Sequence, residues 1–258
     1  TWTVAPYHSV KNATLASLVK APASTPLPTS AKDTAAIDAL VRNMLARGEH
    51  TITLNYPKAL TTSTASALTQ AFTSCVKTYC EQMYNAVSCR SYSSGRVSLT
   101  FSSTTCTDAK LQSYRDKALA AAVKVHDSLW ESGELSYGMS QYEIAQVYYE
   151  WLCSHCRYDD GASDDSLSHL AYGALVEGLA VCDGYTGAYN LLLKLEGIDC
   201  TSLFNDSHIW TVARLDGRQY HIDVTWGDQY GRTDLRYFGM SAEQSRKYHP
   251  WTEQGGKK

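Results

Sequence analysis

The sequence has no long apolar run, no basic block and no internal repeat. In 258 residues there is no stretch of about 18 consecutive apolar residues, so no membrane-spanning helix is expected. The 23 Lys and Arg are scattered among 26 Asp and Glu, for a net charge of -3. Without a basic patch, neither nucleic acid nor an anionic membrane is expected as a main partner. Thr1 is not preceded by Met or by a hydrophobic leader, as in a mature or trimmed form. Metal-ligand spacing is also missing. Cys153-x-x-Cys156 has no second clean pair, and Cys75 and Cys80 lack zinc spacing and a nearby histidine. No metal and no cofactor are expected. Low complexity is confined to the first 30 residues.

What is present is apolar and rich in cysteine. Apolar residues make up 44% and charged residues 19%, enough for a sizeable core and for one large domain or two small ones. Eight cysteines point to an oxidising compartment and an extracellular or cell-surface setting. With Cys182 kept free, three disulfides and one buried thiol are the natural count.

The composition divides the chain in three. Residues 1–30, interrupted by Pro22, Pro26 and Pro28, read as an extended arm or linker, in which Trp2, Val4 and Tyr7 could pack. Residues 31–107 read as a small α+β region. It contains a helix from Asp33 to Arg47 stopped by Gly48, a strand Thr51–Tyr56, a helix Ser63–Ala86, and a strand Val97–Phe101 after a turn at Tyr92–Arg96. Its cysteines read as staples rather than ligands. Residues 108–258 open with a helix Asp108–Trp130. A capping box at Ser140–Glu143 starts another helix that ends near Cys156. A short helix from about Ser166 to Val176 follows, then a helix from Cys182 closed by Gly197. Three strands are expected at Cys200–Phe204, Ser207–Leu215 and Gln219–Trp226.

The last two strands meet at Asp216-Gly217, a strong hairpin signal. With those two residues as the loop, Leu215 faces Arg218 and His208 lies opposite Thr225, with Asp223 as its diagonal neighbour. Alternation places His208, Trp210 and Val212 on one face with His221, Asp223 and Thr225. Asp223 can then fix one imidazole nitrogen of His208 and leave the other free. The helix starting at Cys182 should cover that face, with Gly178, Gly184 and Gly187 permitting close approach. Backbone N–H groups in its first turn favour a thiolate and can donate to an oxyanion. Blander readings exist for each residue alone: a disulfide half, a satisfied core histidine, a hairpin cap. Pairing of Cys182 with Cys200 is implausible, because the intervening helix carries the chain roughly 20 Å away. An earlier cysteine remains open as a partner. His221 reads as a neighbour or a surface residue rather than the base.

At these residues the chain resembles the transglutaminase-like superfamily, and most of all its bacterial cysteine proteins. The matching pattern is Tyr158-Asp159, Ala171 to Leu175, Val181 to Tyr185, Gly197 to Cys200, His208 to Trp210, Leu215 to Gly217 and Asp223 to Trp226, with Tyr237 to Ser241 resembling the strand after the core. It covers about residues 140–240, and its order makes it more specific than any one motif. The resemblance implies an α+β fold: a papain-like transglutaminase core, with the nucleophile helix packed on an antiparallel sheet. It implies Cys182 as nucleophile, His208 as base and then acid, and Asp223 as orienter, with no metal required. Thr211 departs from the Asn that relatives commonly carry there, which affects local hydrogen bonding. Tyr158 and Tyr172 are candidates for the second oxyanion donor. The expected activity is a thiol enzyme acting on amide bonds of protein or peptide substrates through a thioester. Hydrolysis is favoured slightly over amine transfer, because nothing marks a dedicated lysine tunnel. The alternative is a non-catalytic extracellular binding module that keeps the fold, including a surface adhesin with a vestigial site.

Overall fold

The computed structural model describes residue 10 and residues 12–251. Trp2, Val4 and Tyr7 lie outside the described residues. What is described of the arm is docked. Thr14 caps α1 (Leu15–Leu18) with a full capping box, and Val10, Leu15 and Val19 are buried. The Tyr56 hydroxyl donates to the Pro28 carbonyl at 2.9 Å, and Arg42 to the Lys20 carbonyl at 3.2 Å.

Apolar spacing makes α2 (Thr34–Ala46) amphipathic, with Ile37, Val41 and Leu45 buried. β1 (Thr51–Asn55) buries Ile52 and Leu54. α3 (Thr62–Lys77) stops well before the expected Ala86. A 3-10 turn at Cys80–Gln82 and a left-handed Met83 (φ 49°) break the helix. Residues Ala86–Ser91 then form β2, which pairs with β3 (Arg96–Ser102). Ser88, Cys89, Arg90 and Ser91 are exposed on β2, so it carries no alternating pattern. Pairing with β3, not local propensity, makes it a strand. The antiparallel order is β1-β3-β2.

α4 (Asp108–Ser132) ends on a left-handed Gly133, and α5 (Gln141–His155) starts from the Ser140 capping box. Two short parallel strands follow, β4 (Arg157–Tyr158) and β5 (Leu179–Ala180). The single helix expected from Ser166 to Val176 is instead a 3-10 turn at Leu167–His169 and a π turn at Gly173–Glu177. This wider winding brings the segment down onto α6 (Cys182–Leu195), which is buried along most of its length. A Cβ on Gly184 would sit 2.1 Å from the Ser168 carbonyl oxygen, so only glycine fits there.

The second sheet is antiparallel, in the order β6 (Asp199–Phe204), β7 (Ile209–Leu215), β8 (Arg218–Ile222). Leu215 pairs with Arg218, the register expected from the sequence. Asp216 (φ 51°) and Gly217 (φ 82°) are both left-handed, as a type I′ turn requires. The Asp216 carboxylate also accepts the N–H groups of Gln141 and Tyr142, each at 3.1 Å, and Gln141 Oε1 accepts the Asp216 N–H at 2.9 Å. The hairpin tip thereby serves the open N-terminal donors of α5. β8 ends four residues earlier than expected. Asp223 leaves the ladder and caps α7 (Val224–Gly227), accepting the Trp226 N–H at 3.1 Å. The strand expected at Tyr237–Ser241 reduces to one bridge, Met240 to His221. α8 (Ala242–Tyr248) follows.

One core lies among α4, α5, α6 and the second sheet. The other fills the first layer and also takes in Leu111, Leu170 and Ile209. Glu81 and Lys194 form a buried ion pair across the two.

All eight cysteines are free thiols, so the expected three disulfides do not form. The buried thiols contact polar groups instead: Cys80 contacts Ser202, Cys200 the Asn190 carbonyl, and Cys153 the Val224 carbonyl.

Candidate active site

Cys182 is the first residue of α6 and is half-buried. Its own N–H lies outside the i→i−4 ladder of the helix. One turn on, the Thr186 hydroxyl is shared between the Cys182 carbonyl at 2.7 Å and the Ile209 carbonyl at 3.1 Å, which sets α6 beside the residue that follows His208. The Cys182 sulfur lies close enough to the His208 ring to raise its pKa, and His208 Nε2 stands 2.7 Å from Asp223 Oδ2. The nitrogen left for sulfur is Nδ1. The structure thus brings Cys182, His208 and Asp223 into one line. It places Asp223 by a helix cap rather than by continued pairing.

The electrostatics follow from burial and charge. Burial alone would discharge His208, but the Asp223 carboxylate and the Cys182 sulfur outweigh it and raise its pKa to about 10. Burial alone would protonate Asp223, yet His208 and then His249 hold it at about 2. The imidazolium and the carboxylate are the charged forms favoured here.

The other sequence candidates separate. Tyr158 lines the pocket beside His208, and its pKa is raised by burial and then by the charge of Cys182. Tyr172 packs at a tilt against Tyr114, with ring centroids 4.7 Å apart. His221 is not on the surface: it is 1% exposed and accepts the Trp210 indole N–H at 3.1 Å. Burial, Arg246 and His249 lower its pKa to about 4. Thr211 is also buried. Its hydroxyl donates to Asn190 Oδ1 at 2.7 Å, and Asn190 donates to Ser202 at 2.9 Å. An asparagine thus reaches this position from α6 instead of from the strand.

Two residues carried no sequence signal for this site, His169 having stood out only as a neighbour of Cys153-x-x-Cys156. His169 bonds both carboxylate oxygens of Asp183, at 3.0 and 2.9 Å, clipping the 163–169 loop to the first turn of α6. His249, just after α8, has its Nε2 2.8 Å from the same Asp223 Oδ2 that His208 contacts. It lies far along the chain from the hairpin, in a segment whose pattern does not connect to it. Among the described residues, donor atoms of His208, Asp223 and His249 fall within 4.8 Å of one another. Their 2.7 and 2.8 Å separations are hydrogen-bond distances, whereas neighbouring ligands on a tetrahedral cation stand about 3.3 Å apart.

His208 opens onto a pocket of about 760 Å³ bounded by Tyr158, Trp226, Asp228, Tyr230 and Tyr237. Tyr158, Trp226 and Tyr230 are 41%, 37% and 87% exposed, so the rim is open to water.

No family model matches the chain. Kyphoscoliosis peptidase of Mus musculus is 27% identical over 130 residues, 43% of this chain and 20% of that protein. The Homo sapiens protein of the same name is 26% identical over 103 residues, 33% of this chain and 16% of that protein. The matches span no more than a fifth of those curated relatives. Among solved structures, a transglutaminase shares 14% identity at a TM-score of 0.36, over 77% of this chain and 55% of its own. A candidate cysteine protease from Cytophaga hutchinsonii shares 13% at 0.32, over 60% of this chain and 64% of its own. Over the matched stretches the chain is similar in sequence to the kyphoscoliosis peptidases.

Proposed function

We propose that the protein is a thiol enzyme that cleaves amide bonds in proteins or peptides, with Cys182, His208 and Asp223 as its catalytic groups. The observation that carries this reading is the line from sulfur to carboxylate. Nε2 of His208 meets Asp223 at 2.7 Å, which leaves Nδ1 for the nearby Cys182 sulfur that acts on the ring's pKa, and the thiol stands at the open N-terminus of a buried helix.

The chemistry follows that line. Cys182 gives its proton to His208 Nδ1, and the thiolate attacks the amide carbonyl. The C–S bond forms as the carbonyl π electrons move to oxygen. The Cys182 N–H, and the Tyr158 hydroxyl that lines the same pocket as His208, are the donors proposed for that oxyanion. On collapse the C–N bond breaks, and His208 Nδ1–H passes its proton to the leaving amine. Water then attacks the thioester, His208 takes its proton, and the carboxylic acid leaves as the thiol is restored. Throughout, Asp223 keeps the Nε2–H tautomer and supports the charged ring.

Hydrolysis is favoured over transfer to an amine. Transfer needs water kept away from the thioester, and the aromatic rim around His208 is solvent-exposed.

The test compares the wild type with Cys182→Ala on casein-derived peptides and on amine incorporation into a glutamine-rich protein. The expected result is new peptide termini with the wild type and none with Cys182→Ala. Amine incorporation without cleavage would replace hydrolysis by transfer. Neither activity, together with no selective labelling of Cys182 by iodoacetamide below pH 7, would defeat the enzyme reading.

A further inference from the structure

The Asp223 carboxylate is held from three sides. Oδ1 accepts the Trp226 N–H at 3.1 Å. Oδ2 stands 2.7 Å from His208 Nε2 and 2.8 Å from His249 Nε2. The His249 contact is a close polar one at 2.8 Å rather than an aligned hydrogen bond, and its Nε2 has no other partner among the described residues. His249 is 1% exposed. Its ring stacks on Trp210 at 4.6 Å between centroids, meets Trp226 edge-on at 4.2 Å, and lies 5.0 Å from His208.

The segment that delivers His249 is tied to the loop that delivers His208. Asn205 accepts the His208 N–H at 2.9 Å and donates to the Pro250 carbonyl at 3.3 Å. Trp251 stacks on His221, and Arg246 lies 4.1 Å over the Trp251 ring. This bracing is more than packing of an isolated imidazole would require. It fixes a polar nitrogen against a buried anion, where an unmatched charge is costly.

We propose that His249 is a positioning residue for the Asp223 carboxylate, so that the working set is Cys182–His208–Asp223–His249. This rests on the reading of Cys182 as nucleophile. A donor to the anion favours the charged carboxylate and holds Oδ2 in the plane His208 needs. Besides His208, the groups facing this pair are the Cys182 sulfur from α6, His221 from β8, Tyr149 from α5 and Arg246 from α8. Of these, His208 and His249 are the ones that touch the carboxylate.

The test is the pH profile of Cys182 alkylation in the full chain. Iodoacetamide is the probe, and the Cys182 peptide is quantified by mass against exposed Cys89. His249→Phe keeps the ring inside the tryptophan cage and removes the N–H. His249→Gln returns an amide donor. In His249→Phe the acid limb of labelling is expected about one pH unit higher, the scale of one hydrogen bond to a charged group. In His249→Gln it returns towards the wild type. An unchanged profile in folded His249→Phe, beside fast wild-type labelling, overturns the role. So does an equal shift in both variants, which would assign the effect to packing. If His249→Phe does not fold, nitrogen-15 NMR of the wild-type rings decides: His249 as the Nε2–H tautomer supports the role and Nδ1–H overturns it. Wild-type Cys182 reacting no faster than Cys89 overturns the nucleophile reading, and the role with it.

Discussion

At the scale of single residues, the charges of the site make stability depend on pH from both directions. Asp223 is depressed from 3.8 to about 2. Its contribution is fully present above 3.8 and is lost as pH falls through about 2. His208 is raised from 6.5 to about 10. Its contribution is fully present below 6.5 and is lost as pH rises through about 10. The stability gap between wild type and Asp223→Asn is therefore expected to be widest near about pH 5, and to close towards either end. Urea midpoints across the range measure it, and a gap that grows above pH 10 would contradict the sign. Amide cleavage should fall as His208 loses its proton near 10, while alkylation of the thiolate persists, because only cleavage needs the acid. That Cys182, His208 and Asp223 lie near one another was legible, because their order and the β7–β8 hairpin register predict it. His249 was not, because a shared carboxylate oxygen is a three-dimensional fact with no periodicity behind it.

At the scale of elements, α6 matters most, and its place depends on glycine. A Cβ at Gly184 meets a backbone oxygen 2.1 Å away, and backbone cannot yield as a side-chain tip can. Gly184→Ala is expected to lower the thermal midpoint and to cut amide cleavage by at least about tenfold, since moving Cys182 by 1 Å is enough to lose that much. Paired thermal melts and activity assays check this. Full activity at unchanged stability would show that the Ser168 turn is free to move. The long helices and the β7–β8 hairpin could be read from periodicity, caps and the Asp-Gly turn. β2 and the π turn at Gly173–Glu177 could not. The first is a strand only because β3 lies beside it, and the second exists to fit its chain against α6.

At the scale of the whole molecule, the two layers are joined by charge as well as by apolar contact. The buried Glu81–Lys194 pair links the turn after α3 to the end of α6, and burial lowers the Lys194 pKa. Glu81→Ala strands an ammonium in the interior and is expected to cost about 3–5 kcal/mol, while Glu81→Leu with Lys194→Met should cost much less. Chemical unfolding of the single and double variants measures both. If the layers are one cooperative unit, the single variant keeps one transition at a lower midpoint. Two transitions would mean that the layers unfold separately. The sequence marked both halves as foldable but gave no sign of this link, because Glu and Lys so far apart read as surface residues.

The hairpin tip at Asp216-Gly217 bears on where the chain can be opened. Two-residue surface turns are ordinarily the places for tags, permuted ends and protease cuts. Here the turn carboxylate caps α5, and the open end of the same ribbon carries His208 before one strand and Asp223 after the other. Its length is therefore set by two unrelated partners. A residue inserted there would uncap a helix and slip the register behind the carboxylate at once. Nicking or tagging is better tolerated between Ser93 and Ser94, which are exposed and bear no part of the site.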